Sequence, residues 1–192
     1  GARVGGHYPW PCAAVTDTVW RDAIGALAGG GVTLLSLWGD IGRVHMALLS
    51  PEEDAPIAVL SLDCPDAHYP SVGAAHAPAI RLERAMRDLF GLIPDGLPDP
   101  RPWLDHGRWG DATPAAASYP FLPVEGEALH QVPVGPVHAS IIEPGHFRFT
   151  AEGETVVRLE QRFGYVHKGI DAMLAGAQIG RAERIVARTS GD

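Results

Sequence analysis

The sequence predicts an α+β fold: a small antiparallel or mixed sheet with helices on one face, followed by a short β-layer and the start of a helical body. The first observation is a helix pattern followed by three runs rich in Val, Leu and Ile, the order of a meander sheet covered by a helix. The second is another amphipathic helix pattern after those runs. The third is the content of glycine and proline, 23 and 17 of 192 residues, which predicts many turns.

The first predicted helix begins at Thr16 or Asp17, since either side chain can cap its first turn. It ends at residues 29–31, where three consecutive glycines stop a helix. Its apolar residues recur every three or four positions, which predicts one buried face made of Val19, Trp20, Ala23, Ile24 and Leu27.

Three strands are predicted after this helix, over residues 32–38, 42–49 and 57–62. The first two read as a hairpin whose turn is Gly39-Asp40, a dipeptide typical of tight turns. The third run is predicted as a strand because it is rich in Ile, Val and Leu.

A second helix is predicted over residues 79–90. Its charged residues are placed on the outer face as two i,i+4 ion pairs. Glu83 pairs with Arg87, and Arg84 pairs with Asp88. The inner face is then formed by Leu82, Ala85, Met86, Leu89 and Phe90.

Gly91 is predicted to end this helix, and residues 92–120 that follow are rich in proline and show little periodicity. So long a stretch is typical of a functional loop or a linker, and we name it the Pro-rich arm. An extended arm beside an exposed aromatic suits a segment that lies along a partner. The alternative is a loop that covers its own sheet. A domain boundary is expected within the arm, giving domains 1–112 and 113–192.

The second domain is predicted to contain three strands, over residues 137–142, 147–151 and 155–163. Two helical stretches follow, at 168–175 and 178–188. No sheet pattern comes after them, so we expect these helices to begin a larger helical body whose remainder is absent from this sequence.

Charge and composition exclude several classes of protein. The sequence carries 15 Lys and Arg against 23 Asp and Glu, a net charge of −8, whereas a nucleic-acid surface needs a basic stripe. No run approaches the ~18 apolar residues of a membrane span. Cys12 and Cys64 are too few for a disulfide framework and are expected to be reduced thiols.

Chemistry-bearing motifs are sparse. The sequence has no P-loop, no dinucleotide-binding glycine pattern, no nucleophile elbow and no Cys-x-x-Cys. Nine histidines are scattered, but His138 and His146 flank a turn that contains Glu143, and these three are candidate catalytic or metal-binding residues. The alternative is that these loop histidines bond to backbone groups.

A family resemblance emerges around the second helix. The motifs there are Tyr69-Pro70-Ser71, Leu82-Glu83-Arg84, Asp88-Leu89-Phe90-Gly91 and Gly96-Leu97-Pro98-Asp99-Pro100-Arg101. These motifs resemble those of the C subunit of respiratory complex I, the proton-pumping NADH:quinone oxidoreductase. Leu97 stands where that family has histidine, and Ala85 where it has a second glutamate.

This resemblance implies a scaffold domain without a redox centre. It also implies that the Pro-rich arm crosses onto an iron–sulfur small subunit. The interface residues that it implies are Asp88, Phe90, Gly91, Pro98, Asp99 and Arg101.

The sequence after Leu129 contains three further motifs: Val134-Gly135-Pro136-Val137-His138, Glu143-Pro144-Gly145-His146-Phe147-Arg148-Phe149 and Arg162-Phe163-Gly164-Tyr165-Val166-His167-Lys168-Gly169-Ile170. This part is similar to the start of the D subunit of the same complex, which is related to the large subunit of [NiFe] hydrogenases. The motifs are most similar to the fused C–D large subunits of formate-hydrogenlyase-type enzymes, and the two resemblances together cover residues 30–192.

Two departures from these families bear on activity. Ser190 stands where the hydrogenases have the first cysteine of a nickel-binding Cys-Gly-x-Cys, and a hydroxyl is a poor nickel ligand. Cys12 and Cys64 lie in the scaffold domain that the resemblance implies, so they cannot replace this cysteine as nickel ligands. Ile142 stands where the complex I branch has its second quinone-holding histidine, and His146 takes that role only if the loop is longer.

The resemblance thus implies a hydrophilic-arm subunit that scaffolds the large subunit against the iron–sulfur subunit and shapes a quinone or proton path. This protein is expected to hold no cofactor and to be inactive alone, while the parent complex holds iron–sulfur clusters and either quinone or NiFe. It would attach peripherally, through its partners, to the cytoplasmic side of the inner membrane. The alternatives are the large subunit of an active [NiFe] hydrogenase, with nickel ligands elsewhere, and an unrelated small binding module.

Overall fold

The computed structural model describes residues 2–5, 7–51, 57–106, 119–137, 142–166 and 168–189. Its internal contacts divide the protein into two compact units, Gly1–Pro102 and Trp103–Asp192. The predicted domain boundary, after residue 112, lies outside the described residues.

The first unit contains a mixed five-stranded sheet in the order β1-β2-β5-β4-β3. The last three strands form the predicted antiparallel meander, while β2 runs parallel to β5. The α+β class with a mixed sheet is therefore confirmed. The strands are β1 (Ala2–Arg3), β2 (Cys12–Val15), β3 (Thr33–Asp40), β4 (Arg43–Leu49) and β5 (Ile57–Asp63).

The hairpin between β3 and β4 turns two residues later than predicted. Gly39 and Asp40 belong to β3, and the turn is made by Ile41 and Gly42, whose φ of +74° favours glycine. Gly39 serves packing instead, because a Cβ there would lie 2.6 Å from Cδ1 of Leu92. The role of Gly39 is therefore a close approach and not a turn.

Helix α1 (Asp17–Ala28) confirms the first predicted helix. Its N-cap is Thr16, whose hydroxyl accepts from the Val19 amide, and the glycines end it as predicted. The helix covers one face of the sheet with Trp20, whose indole N–H donates to the Pro70 carbonyl at 3.1 Å. The apolar interior on this face includes Val44 and Met46, both fully buried.

Helix α2 (Ile80–Phe90) follows a 3₁₀ turn (Ala77–Ala79) and ends at Gly91, whose φ is +69°. Strand β6 (His68–Pro70) pairs in parallel with β7 (Ile93–Asp95). The beginning of the Pro-rich arm is therefore regular, contrary to the prediction, because Ile93 and its neighbours pair with a strand from before the helix. The predicted inner face of α2 is wrong at Leu82 and Phe90, which are exposed.

The second unit contains an antiparallel sheet in the order β10-β9-β8, followed by two short helices. The elements are β8 (Leu129–Val137), β9 (Gly145–Glu152), β10 (Thr155–Arg162), α3 (Ile170–Leu174) and α4 (Ile179–Val186). Strands β9 and β10 and both helices were predicted. The strand predicted over 137–142 shares only Val137 with β8. Residues 138–141 lie outside the described parts.

Strand β8 was not predicted, and it contains Pro133 and Pro136, a residue type that usually interrupts strands. Both are compatible with its place at the edge of the sheet, since an edge strand tolerates residues that lack an N–H donor. Gly164 follows β10 with a φ of +80°, and it passes so close to the Leu104 carbonyl that a Cβ would collide.

Among the helices in the described ranges, none has both the length and the apolar character needed to span a membrane.

Candidate functional site

The site is built around two neighbouring charged residues of α2, Glu83 and Arg84. Both are buried, so the predicted placement of these residues on the outer face is wrong. The spacing of apolar residues in the sequence already indicates that Glu83 is buried. Ala79 and Met86 lie four residues before and three after Glu83, which puts the carboxylate within the buried stripe of the helix.

Glu83 receives three hydrogen bonds from the turn that follows β6. The Ser71 hydroxyl donates to Oε2 at 2.7 Å, the Val72 amide donates to Oε1 at 2.7 Å, and the Gly73 amide donates to Oε2 at 3.0 Å. Burial raises the pKa of Glu83, and the three hydrogen bonds act in the opposite direction. The carboxylate therefore anchors the end of the Tyr69-Pro70-Ser71 motif and the turn that follows it.

Gly73 is required by this contact. A Cβ at residue 73 would lie 2.6 Å from Oε2 of Glu83 and 3.1 Å from Cα of Ile80. The backbone can approach the helix closely enough to donate its amide only without a side chain there.

Arg84 binds the first part of the Pro-rich arm, residues 92–102, which we name the proximal arm. Its Nε donates to the Arg101 carbonyl at 2.7 Å, and its Nη2 donates to the Pro102 carbonyl at 2.9 Å. Its Nη1 lies 3.1 Å from Oδ2 of Asp99. With its side chain only 5% exposed, one guanidinium fixes three residues in the irregular part of the arm that follows β7.

Asp99 links the proximal arm to itself. Its carboxylate accepts from the Arg101 amide at 3.1 Å and from Nε and Nη2 of Arg101 at 2.8 Å each. Burial alone would raise the pKa of Asp99, but the hydrogen bonds from Arg101 and the charge of Arg84 lower it below its ordinary value. Arg87 adds a further hydrogen bond to the Pro100 carbonyl.

The six predicted interface residues therefore fall into two groups. Asp99 and Arg101 form hydrogen bonds within the proximal arm, and the Asp88 side chain is largely covered beside Arg87. The exposed ones are Phe90, Gly91 and Pro98. Their role at an interface stays a prediction.

The second group of candidates lies in the other unit and is only partly described. His138 is outside the described residues. Glu143 forms an ion pair with Lys168 at 2.8 Å, and Nδ1 of His146 lies 3.3 Å from the Gly135 carbonyl. In the parts of the protein that the structure covers, no three His, Cys, Asp or Glu side chains are arranged to hold a metal.

Removing the guanidinium of Arg84 is expected to destabilise the first unit. Arg84→Met should lower the free energy of unfolding by about 3 kcal/mol, because two carbonyls and a carboxylate lose the hydrogen bonds that it donates. Arg81→Met is the matched control, since Arg81 is exposed on the same helix. Urea denaturation of both variants measures the difference, and equal losses would contradict the role of Arg84.

Glu83 is expected to make stability depend on pH. Since its pKa is raised in the folded state, the native protein retains a proton that the unfolded protein loses above the ordinary value of 4.5. The free energy of unfolding of the wild type should therefore fall as the pH rises from 4.5 to the raised pKa. Glu83→Gln should flatten this slope, measured by urea denaturation across pH values. Identical slopes would contradict the prediction.

Comparison with known proteins finds a matching family and several relatives. Residues 31–123 match the family described as respiratory-chain NADH dehydrogenase, 30 Kd subunit. The protein is 34% identical to hydrogenase-4 component G of Escherichia coli (strain K12) over 129 residues, and 34% identical to formate hydrogenlyase subunit 5 of the same organism over 132 residues. These alignments cover 58% and 59% of this sequence but only 23% of each relative.

Two further similarities are shorter or weaker. A carbon monoxide-induced hydrogenase of Rhodospirillum rubrum is 43% identical over 44 residues, which is 23% of this sequence and 12% of that protein. The trypsin-resistant fragment of Nqo5 is 21% identical with a TM-score of 0.39, over 47% of this protein and 80% of that one. The predicted resemblance is confirmed: residues 31–123 match the respiratory-chain NADH dehydrogenase 30 Kd subunit family, and this protein is a homologue of hydrogenase-4 component G and formate hydrogenlyase subunit 5.

Proposed function

We propose that this protein is a hydrophilic-arm subunit of a complex-I-like, membrane-bound oxidoreductase related to hydrogenases. Its first unit would scaffold the large subunit against an iron–sulfur subunit, and the second would shape a quinone or proton path. The observation that carries the proposal is the proximal arm held by Arg84, inside the segment that matches the 30 Kd subunit family. The relatives' own descriptions as a component and a subunit of larger enzymes support it.

The geometry of the proximal arm suits docking. Binding an irregular segment normally costs the entropy of ordering it, and Arg84 has already ordered this one. Phe90, Ile93 and Pro98 expose apolar surface on or beside it. A rigid main chain flanked by an exposed aromatic suits a protein contact, since aromatic side chains dominate such interfaces.

We place the redox centres of the parent complex in its partner subunits or in parts of the protein beyond these residues. An iron–sulfur cluster needs several thiolates, and this sequence has two cysteines that are buried separately and free. In this proposal the protein alone is inactive and attaches to the cytoplasmic side of the inner membrane through its partners.

A second candidate function is the large subunit of an active [NiFe] hydrogenase with its nickel ligands outside this sequence. The similarity to hydrogenase-4 component G and to the carbon monoxide-induced hydrogenase favours it. Ser190, in place of a nickel-binding cysteine, argues against it. Metal analysis of the full-length protein separates the two: about one nickel per molecule favours the hydrogenase, and none favours the scaffold.

Substitution at Phe90 tests the docking role. Deleting the proximal arm would be uninformative, because it removes Leu92 from the core of the unit. Phe90 is 40% exposed, so Phe90→Glu should spare the fold yet introduce a charge at the proposed contact. We expect the iron and acid-labile sulfide that co-purify with the tagged protein to fall by about tenfold or more. A tenfold loss of affinity corresponds to ~1.4 kcal/mol of binding free energy, as expected when an aromatic contact at an interface is lost.

The matched control is Ile41→Glu, at a residue that is 94% exposed in the β3–β4 turn. It should retain the co-purifying iron and sulfide, and both variants should keep the melting temperature of the wild type. Equal retention in the two variants would contradict docking through the face around Phe90.

A further inference from the structure

The face of the first sheet that carries Trp38 and His45 holds a connected row of polar side chains. His45 on β4 and Ser61 on β5 are register partners, and Nδ1 of His45 lies 2.7 Å from the Ser61 hydroxyl. Nε2 of His45 lies 3.1 Å from Oδ2 of Asp40, and Sγ of Cys12 lies 3.2 Å from the Ser61 hydroxyl. We name Asp40, His45, Ser61 and Cys12 the thiol array.

The hydrogen bonds of the thiol array have one consistent direction when the imidazole is neutral. A carboxylate can only accept, so Nε2 of His45 carries the hydrogen and donates to Asp40. Nδ1 is then an acceptor and takes the hydrogen bond of the Ser61 hydroxyl. The Ser61 oxygen in turn accepts from the Cys12 thiol. A proton can therefore pass from Cys12 through Ser61 to His45.

The same arrangement stabilises the state after transfer. The imidazolium that forms at His45 lies against the Asp40 carboxylate and stacks on the Trp38 ring, with centroids 5.2 Å apart and planes 20° apart. The product at Cys12 is a thiolate, the nucleophilic form of cysteine. Base and orienting carboxylate thus occupy the relation seen in activated-nucleophile sites, and the Ser61 hydroxyl connects the base to the Cys12 thiol.

The array borders a cavity, which gives small molecules access. The cavity measures about 360 Å³ and is lined by residues that include His7, Cys12, Trp38, His45 and Ser61. The Cys12 residue is only 3% exposed, so this opening admits small reagents rather than a macromolecule.

Cys64 provides an internal contrast. Its thiol donates to the Leu62 carbonyl at 3.5 Å, and burial raises its pKa to about 11. It belongs to the apolar interior shared with Val44 and Tyr69, and the charges of Asp63 and Asp66 also act to raise its pKa. The two cysteines of one protein thus differ in the feature that makes a thiol reactive.

We propose that the thiol array is a modification site at which Cys12 is alkylated by small electrophiles with a reactive carbon. With iodoacetamide as the probe, the Cys12 sulfur forms a bond to the methylene carbon as the carbon–iodine bond breaks. Iodide leaves with the bonding electrons. The thiol proton passes through Ser61 to His45 and from there to solvent.

Alkylation of the folded 192-residue protein by iodoacetamide, followed by mass spectrometry of its peptides, tests the site. Cys12 should react at least about tenfold faster than Cys64. Ser61→Ala should slow Cys12 by about tenfold or more, because it removes the link to the base. Ser36→Ala, at an exposed serine on the same sheet, is the matched control and should react at the wild-type rate.

Unfolding of a variant would reveal itself as faster alkylation of Cys64. His45→Gln is therefore a second variant, which keeps a polar side chain but cannot take up the proton, and it should slow Cys12 as Ser61→Ala does. Equal rates for the two cysteines in the wild type, or wild-type rates at Cys12 in both folded variants, would overturn the proposal.

Discussion

The packing of the first unit depends on two buried side chains, Glu83 and Arg84, whose charges need hydrogen-bond partners inside the protein. Glu83 and Arg84 are adjacent on α2 and both buried, and a buried charge is costly unless hydrogen bonds and opposite charge surround it. Each of the two side chains therefore fixes the position of a different segment that packs around it. The turn at Ser71 supplies donors for the carboxylate, and the proximal arm supplies acceptors for the guanidinium.

This constraint explains how a proline-rich stretch can carry a docking role. Carbonyl groups in a proline-rich segment have few local donors, and Arg84 satisfies two of them. After β7, the stretch is held from the side by a helix that is itself packed on the sheet, so the geometry of residues 99–102 does not depend on secondary structure of their own. Under the proposed function, the helix presents the arm to the iron–sulfur partner in a shape fixed beforehand.

Sequence reasoning succeeded where periodicity carried the information, as for α1, the meander of β3 to β5 and the α2 terminus at Gly91. It failed where a residue's common role differs from its local one. Charged pairs at i,i+4 usually face solvent, but Glu83 lies in the buried stripe of α2. Prolines usually end strands, but β8 is an edge strand. The family resemblance identified the arm as a segment that contacts a partner. The side chains that hold the arm could be identified only from their contacts in the structure.

The central claim is that Arg84 holds the proximal arm through Asp99 and the carbonyls beside it. The most direct test is a double-mutant cycle on the free energy of unfolding with Arg84→Met, Asp99→Ala and the combined variant. A coupling of at least about 1 kcal/mol is expected, since the two side chains share one network. Additive effects, within about 0.3 kcal/mol, would contradict the claim.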